Sequence, residues 1–174
     1  LPRYLNSDYT FGPTPPTPPL IPADDNPVGS YRRTFTVPAH WAGRRVFLHC
    51  GGVNSAFYAW VNGREVGYSQ DSKTPAELDV TEHLRPGENT VALQVFRYSV
   101  GSYLEAQDMW RFAGIERSIT LVSTPQVRLR DFFARAALDE RLENGTLRVT
   151  VAAKNALAEA AKGLRVRAEL LDEA

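Results

Sequence analysis

The chain is predicted to be all-β, an antiparallel sandwich followed by the opening of a second β-domain. Three observations lead there. Short stretches rich in β-branched and aromatic residues recur, with turn signals roughly every ten residues. No long amphipathic helical period interrupts them. A proline, Pro125, then separates the first set of strands from a second.

Six of the twelve prolines lie in PTPPTPPLIP, residues 13–22. Proline lacks an amide hydrogen and fixes φ, so this stretch is expected to be extended and outside any sheet ladder. Leu20 and Ile21 give it apolar anchors, which favours a strap laid on a domain over a free linker. SYRRTFTV (30–37) places Tyr31, Phe35 and Val37 on one side, with Arg33 the exception. RRVFLHC (44–50) is nearly continuous in apolar residues and is expected to be covered on both faces. AFYAWVN (56–62) ends at Asn62-Gly63, a strong hairpin signal because both residues tolerate positive φ, and REVGYSQ (64–70) returns. After AELDV, Thr81 is a candidate N-cap for one helical turn, and Pro86-Gly87 marks a turn. TVALQVFRY (90–98) alternates with Val91, Leu93 and Val95 inward, and RSITLVS (117–123) closes the set. Beyond Pro125, VRLRDFFARAAL, TLRVTVAAKN and GLRVRAELL are expected to form three more strands. Three strands leave a sheet edge unprotected, so the chain is expected to stop inside its second domain.

Composition excludes several function classes. With 43% hydrophobic and 23% charged residues the chain can form ordinary globular cores. Twenty basic and twenty acidic residues balance to zero, which removes the electrostatic case for nucleic acid. No apolar run approaches the roughly 20 residues of a membrane span. Cys50 is the only cysteine, so no intrachain disulfide is possible; a small buried thiol at the end of an apolar strand is expected. A lone cysteine fits a reducing compartment, and a cytoplasmic location is the expectation. His40, His49 and His83 are scattered, which argues against a transition-metal site.

Two segments are irregular where their surroundings are regular: GGVNSAF (51–57) and GSYLEAQDMWRFAGI (101–115). A polar and aromatic loop held by strands is a common carrier of function. The alternative is a structural loop in which Trp110 plugs a core and the charges are solvated. Glu105 and Asp108 raise the question of a catalytic carboxylate pair. A pair acting as acid and nucleophile must sit on either side of the reacting carbon. Two groups on one loop approach from one side, so that pairing is set aside.

The ordered set VNSAF, NGxxVGYSQDS, PAELD and QDMWRFAGI, with NPVGSYRRTFTVP before it, resembles glycoside hydrolase family 2 over residues 26–123. The likeness is to its long-chain bacterial β-galactosidase branch, which QDMW separates from the glucuronidases and mannosidases. The resemblance implies a Pro-rich strap and remnant of a jelly-roll N-terminus at 1–25. It implies a sugar-binding jelly-roll domain at 26–124, lacking its first strand or two, and the first strands of an immunoglobulin-like domain at 125–174. The catalytic glutamates and magnesium ligands would lie in a barrel domain outside this chain, so the chain alone should not hydrolyse glycosides. It further implies that Asn54 and Asp108 belong to a galactose subsite, with Val53 offering its backbone and Asp108 also reaching a sodium ion.

The residue types suit that role. Asn54 both donates and accepts, as a sugar hydroxyl does, and Asp108 accepts with the added strength of charge. Each also has a structural reading: Asn54 as a turn residue, Asp108 as a loop carboxylate capping amides or pairing with Arg111. Trp110 and Tyr103 are expected to shape the loop rather than stack on sugar. Asp71 and Glu77 are expected to be turn and domain-contact residues. The resemblance implies a β-galactoside substrate such as lactose, further domains, and a homo-oligomer, often a tetramer. A stand-alone carbohydrate-binding module and a purely structural sandwich are the competing readings.

Overall fold

The computed structural model describes residues 17–105, 110 and 112–171. The chain divides into two compact units, Leu1–Ser123 and Thr124–Ala174. The architecture is all-β, as expected, and its sheets do not close into a barrel.

In the first unit, β1 (Val28–Thr36), β4 (Ala56–Val61), β5 (Arg64–Gln70) and β7 (Glu88–Phe96) form one antiparallel sheet in the order β1-β7-β4-β5. A second sheet has the order β6-β2-β9, from β2 (Arg45–Cys50), β6 (Ala76–Asp79) and β9 (Ile119–Thr124). The register pairs Phe57 with Val95 and Ala59 with Leu93, so the apolar residues of both strands share one face. They close on Val46, Leu48 and Cys50 of β2 to make a single core. Period-2 alternation is thus turned directly into burial.

The β4–β5 hairpin turns at Asn62 (φ 51°) and Gly63 (φ 81°), the positive-φ pair that the right-handed twist of the flanking strands requires. Asn62 does more than turn. Its Nδ2 donates to His83 O at 2.8 Å and its Oδ1 accepts from Thr90 N at 3.0 Å.

Three expectations for the first unit need correction. The strand RRVFLHC is not covered on both faces: Val46, Leu48 and Cys50 are buried, while Phe47 and His49 are only half-buried. Only the face bearing Val46, Leu48 and Cys50 packs into the core. Thr81 is not an N-cap. It is the first residue of a 3-10 turn, Thr81–His83, with no side-chain cap. Its hydroxyl donates to Asp79 Oδ1 at 2.6 Å and accepts from Val46 N at 2.9 Å, tying β6 to β2 instead. Leu20 does not anchor the Pro-rich segment by its side chain, which is 66% exposed. Its carbonyl does so, accepting from the buried Tyr103 hydroxyl at 2.5 Å.

Arg33, the exception in the β1 pattern, pairs with Val91 and therefore points to the core side. Because β1 is an edge strand, that side is open. Arg33 lines a cleft of about 640 Å³ with Tyr31, Phe35, Leu48, Ile119 and Leu121. Arginine can lie on apolar surface along its methylene stem while the guanidinium stays wet.

The second unit is a long hairpin, β10 (Val127–Leu138) with β11 (Gly145–Asn155), bulged between Leu129 and Asp131. Its turn is built on Asp139, whose carboxylate accepts from the amides of Arg141 and Glu143 and from Asn144 Nδ2. The expected third strand, GLRVRAELL, is not one: residues 163–171 carry no regular structure. Alternation alone does not make a strand, because the ladder needs a partner edge. Phe132, Leu147 and Val149 on the hairpin are exposed.

Candidate functional site

The two irregular segments meet. Short strand β3 (Val53–Asn54) pairs with β8 (Gly114–Ile115), setting Val53 opposite Ile115 and Asn54 opposite Gly114. Gly114 has φ +111°, a conformation side-chain-bearing residues rarely adopt, and a Cβ there would lie 3.1 Å from the Tyr31 hydroxyl. The pairing is reinforced from outside the strands. Gly52 O accepts from both Glu116 N (3.1 Å) and Arg117 N (3.3 Å), and Gly51 N donates to Ser118 O (3.1 Å).

The double glycine lets Arg117 lie close. A Cβ on Gly52 would meet Arg117 Cδ at 3.2 Å, and one on Gly51 would meet Arg117 Cβ at 3.2 Å. From there Arg117 Nη1 donates to Lys73 O at 3.2 Å, so the guanidinium ties the 71–74 turn to the 51–54 turn. Asp71 (φ 93°) shapes that turn, accepting from Thr74 Oγ1 at 2.7 Å. Glu77 sits on β6 opposite His49.

Asn54 lies between two buried residues, Val53 and Ser55. Ser55 is fixed by donating to Phe96 O through both its amide (3.0 Å) and its hydroxyl (3.2 Å). The Asn54 side chain reaches outward and donates from Nδ2 to Glu116 Oε1 at 3.1 Å. Glu116 Oε2 accepts from Lys73 Nζ at 2.6 Å. The amide therefore faces a carboxylate that is itself paired with an ammonium. Val53 has its side chain in the core, which leaves its backbone as its only surface for a ligand.

The second segment opens with a short helix, α1 (Ser102–Glu105). Glu105 is fully engaged: Ser72 N donates to Oε1 at 3.0 Å and Ser72 Oγ to Oε2 at 2.5 Å. A carboxylate satisfied by a buried serine is a clamp between two loops, not a free acid or base. Tyr103 is buried, a loop-shaping position. Trp110 is 54% exposed and stacks on Phe112, with centroids 6.2 Å apart, so it does not plug a core. Asp108 and Arg111 lie outside the described residues.

The sequence reading missed Glu116, Lys73 and Arg117. Nothing in the local sequence marks them, because the partners of those side chains are 43 to 66 residues away. Cys50 is buried, and burial pushes its thiol up to about 11. Among the described residues no three His, Cys, Asp or Glu side chains group to hold a metal, and no helix is long and apolar enough to cross a membrane.

Comparison with known proteins agrees with this architecture. A family model described as "Glycosyl hydrolases family 2, sugar binding domain" matches residues 1–125. A protein named beta-galactosidase from Priestia megaterium is 49% identical over 150 residues, covering 86% of this chain and 14% of that protein. One from Halalkalibacterium halodurans is 43% identical over 172 residues, covering 98% of this chain and 17% of its own length. The chain thus spans less than a fifth of these relatives. Among solved structures, Bacteroides uniformis beta-glucuronidase superposes with a TM-score of 0.65 at 24% identity, over 74% of this chain and 16% of that one. A Ruminococcus gnavus β-glucuronidase gives 0.62 at 17% identity, over 71% and 24%. With the family match spanning most of its length and relatives above 40% identity, this chain belongs to glycosyl hydrolase family 2.

Proposed function

We propose that this chain is part of a retaining β-galactosidase that cleaves terminal β-galactosides such as lactose, and that it contributes one wall of the galactose subsite. The observation that carries the reading is the identity of 43–49% to proteins named beta-galactosidase over nearly the whole chain. A self-standing binding module is not favoured, since the chain matches only a small part of each of these enzymes.

In this reading Asn54 and Asp108 recognise sugar hydroxyls and the Val53 backbone borders them. The acid and nucleophile come from a barrel domain of the same protein, where magnesium supplies further electrostatic support. A sodium ion takes Asp108 as this chain's ligand, an anionic oxygen being the donor type that suits a hard cation. The first unit is then a jelly roll and the second the start of an immunoglobulin-like domain. The whole enzyme is a cytoplasmic homo-oligomer, a tetramer. Interactions that tighten as the ring distorts toward an oxocarbenium-like state lower the barrier directly.

Magnitudes separate the chain from the enzyme. One neutral and one charged hydrogen bond contribute together roughly 2–4.5 kcal/mol before the cost of association. A millimolar complex already needs about 4 kcal/mol. The 174-residue chain alone should show no detectable galactose binding at millimolar sugar and no hydrolysis; saturable titration at low micromolar sugar would refute this. In the full-length enzyme, Asn54→Ala and Asp108→Ala should each lower kcat/KM with the fold intact; near wild-type turnover in both would refute the assignment.

A further inference from the structure

The two ends of the Asn54 amide have opposite hydrogen-bonding character, and one neighbour decides which end faces outward. Glu116 Oε1 lies 3.1 Å from Asn54 Nδ2. An ionised carboxylate can only accept, so the amide N–H must be the end that turns to it, and the carbonyl oxygen is left to face away. Glu116 is braced in turn. Lys73 Nζ donates to its second oxygen at 2.6 Å, and Lys73 O accepts from Arg117 Nη1 at 3.2 Å. Without an acceptor-only neighbour, a half-turn of the amide would exchange oxygen for nitrogen in nearly the same shape.

We propose that Glu116, braced by Lys73, is a positioning residue that locks Asn54 with its carbonyl oxygen toward the sugar, so that the subsite selects a hydroxyl that donates. This rests on the galactose-subsite reading of Asn54. Glu116 acts through Asn54 and not on the sugar. The Glu116–Lys73 pair is partly solvated, with side-chain exposures of 24% and 42%. Such pairs add little to stability, so orientation rather than folding is what the arrangement supplies.

The test uses the full-length enzyme. Glu116→Gln keeps the shape but offers both a donor and an acceptor, which frees the amide to flip. It should lower kcat/KM for a β-galactoside about tenfold, the scale of one misplaced hydrogen bond, while the melting temperature stays unchanged. Asn54→Asp sets two carboxylates face to face and should lose more. Adding Glu116→Gln to Asn54→Asp restores a donor–acceptor pair with its polarity reversed and an oxygen still outward. The double variant should regain most of the loss. A purely structural role for Glu116 predicts no such rescue. If Asn54→Ala is impaired while Glu116→Gln is wild type and Asn54→Asp is not rescued, the positioning role is overturned and the sugar contact survives. If Asn54→Ala itself is wild type, the subsite reading fails and the positioning role falls with it.

Discussion

Asn62 Nδ2 donates to Asn89 Oδ1 at 2.8 Å, joining the hairpin turn after β4 to the start of β7. Asn89 is completely buried and fully satisfied. It also accepts from Arg85 N (3.0 Å) and donates to Arg85 O (2.9 Å) and Gly87 O (3.0 Å). One side chain therefore holds the Pro86-Gly87 turn and the neighbouring hairpin in register. Replacing it with an apolar residue leaves several backbone groups of the turn, and the Asn62 amide, without this partner. Asn89→Leu should destabilise the first unit by about 2–4 kcal/mol, read as a lower midpoint in urea denaturation. Unchanged stability would show that water replaces the side chain.

Asp79 gives the first unit a pH dependence of known sign. Burial raises its carboxyl, but hydrogen bonds from the Thr81 hydroxyl and amide and from Arg45 outweigh that, and the net result lies below the ordinary value. A carboxyl depressed in the folded state stabilises fully above its unfolded pKa, and that contribution is lost as pH falls through the folded value. Thermal stability should therefore decline on acidification below about pH 4. Asp79→Asn should flatten the decline at a cost of about 1 kcal/mol at neutral pH. An unaltered pH profile in the variant would remove Asp79 from the account.

Cys50 should be inert in the native protein. With its thiol pushed up to about 11, only about one molecule in a thousand is thiolate at pH 8, and the group is 1% exposed. A thiol reagent should label it no faster than the chain opens, and at full rate in denaturant. Rapid labelling without denaturant would contradict the buried position at the end of β2.

Gly114→Ala tests the strand pair that holds Asn54. The residue would be forced into φ +111° with its Cβ 3.1 Å from the Tyr31 hydroxyl. The expected loss is about 1–2 kcal/mol. In the full-length enzyme kcat/KM should fall as well, because Asn54 lies directly opposite. Lost stability with kinetics intact would separate the pair from the site.

Local sequence determined what local physics controls. Alternation in TVALQVFRY fixed which of its side chains face the core, and Asn62-Gly63 fixed a turn that tolerates positive φ. The motifs around VNSAF and QDMWRFAGI were enough to point to the family, and Asn54 was legible as a candidate from them. The tertiary structure alone decided matters that depend on partners distant in the chain. GLRVRAELL alternates as a strand should, yet it pairs with no neighbouring strand and carries no regular structure. Thr81 has the residue type of a cap, but Asp79 and Val46 take its hydroxyl. Glu116 carries no signal of its own; its meaning comes from Asn54, 62 positions away. Backbone preference and side-chain period act over a few residues and can be read directly from sequence. Hydrogen-bond partners are chosen only after long loops close, and the order of residues does not display that choice.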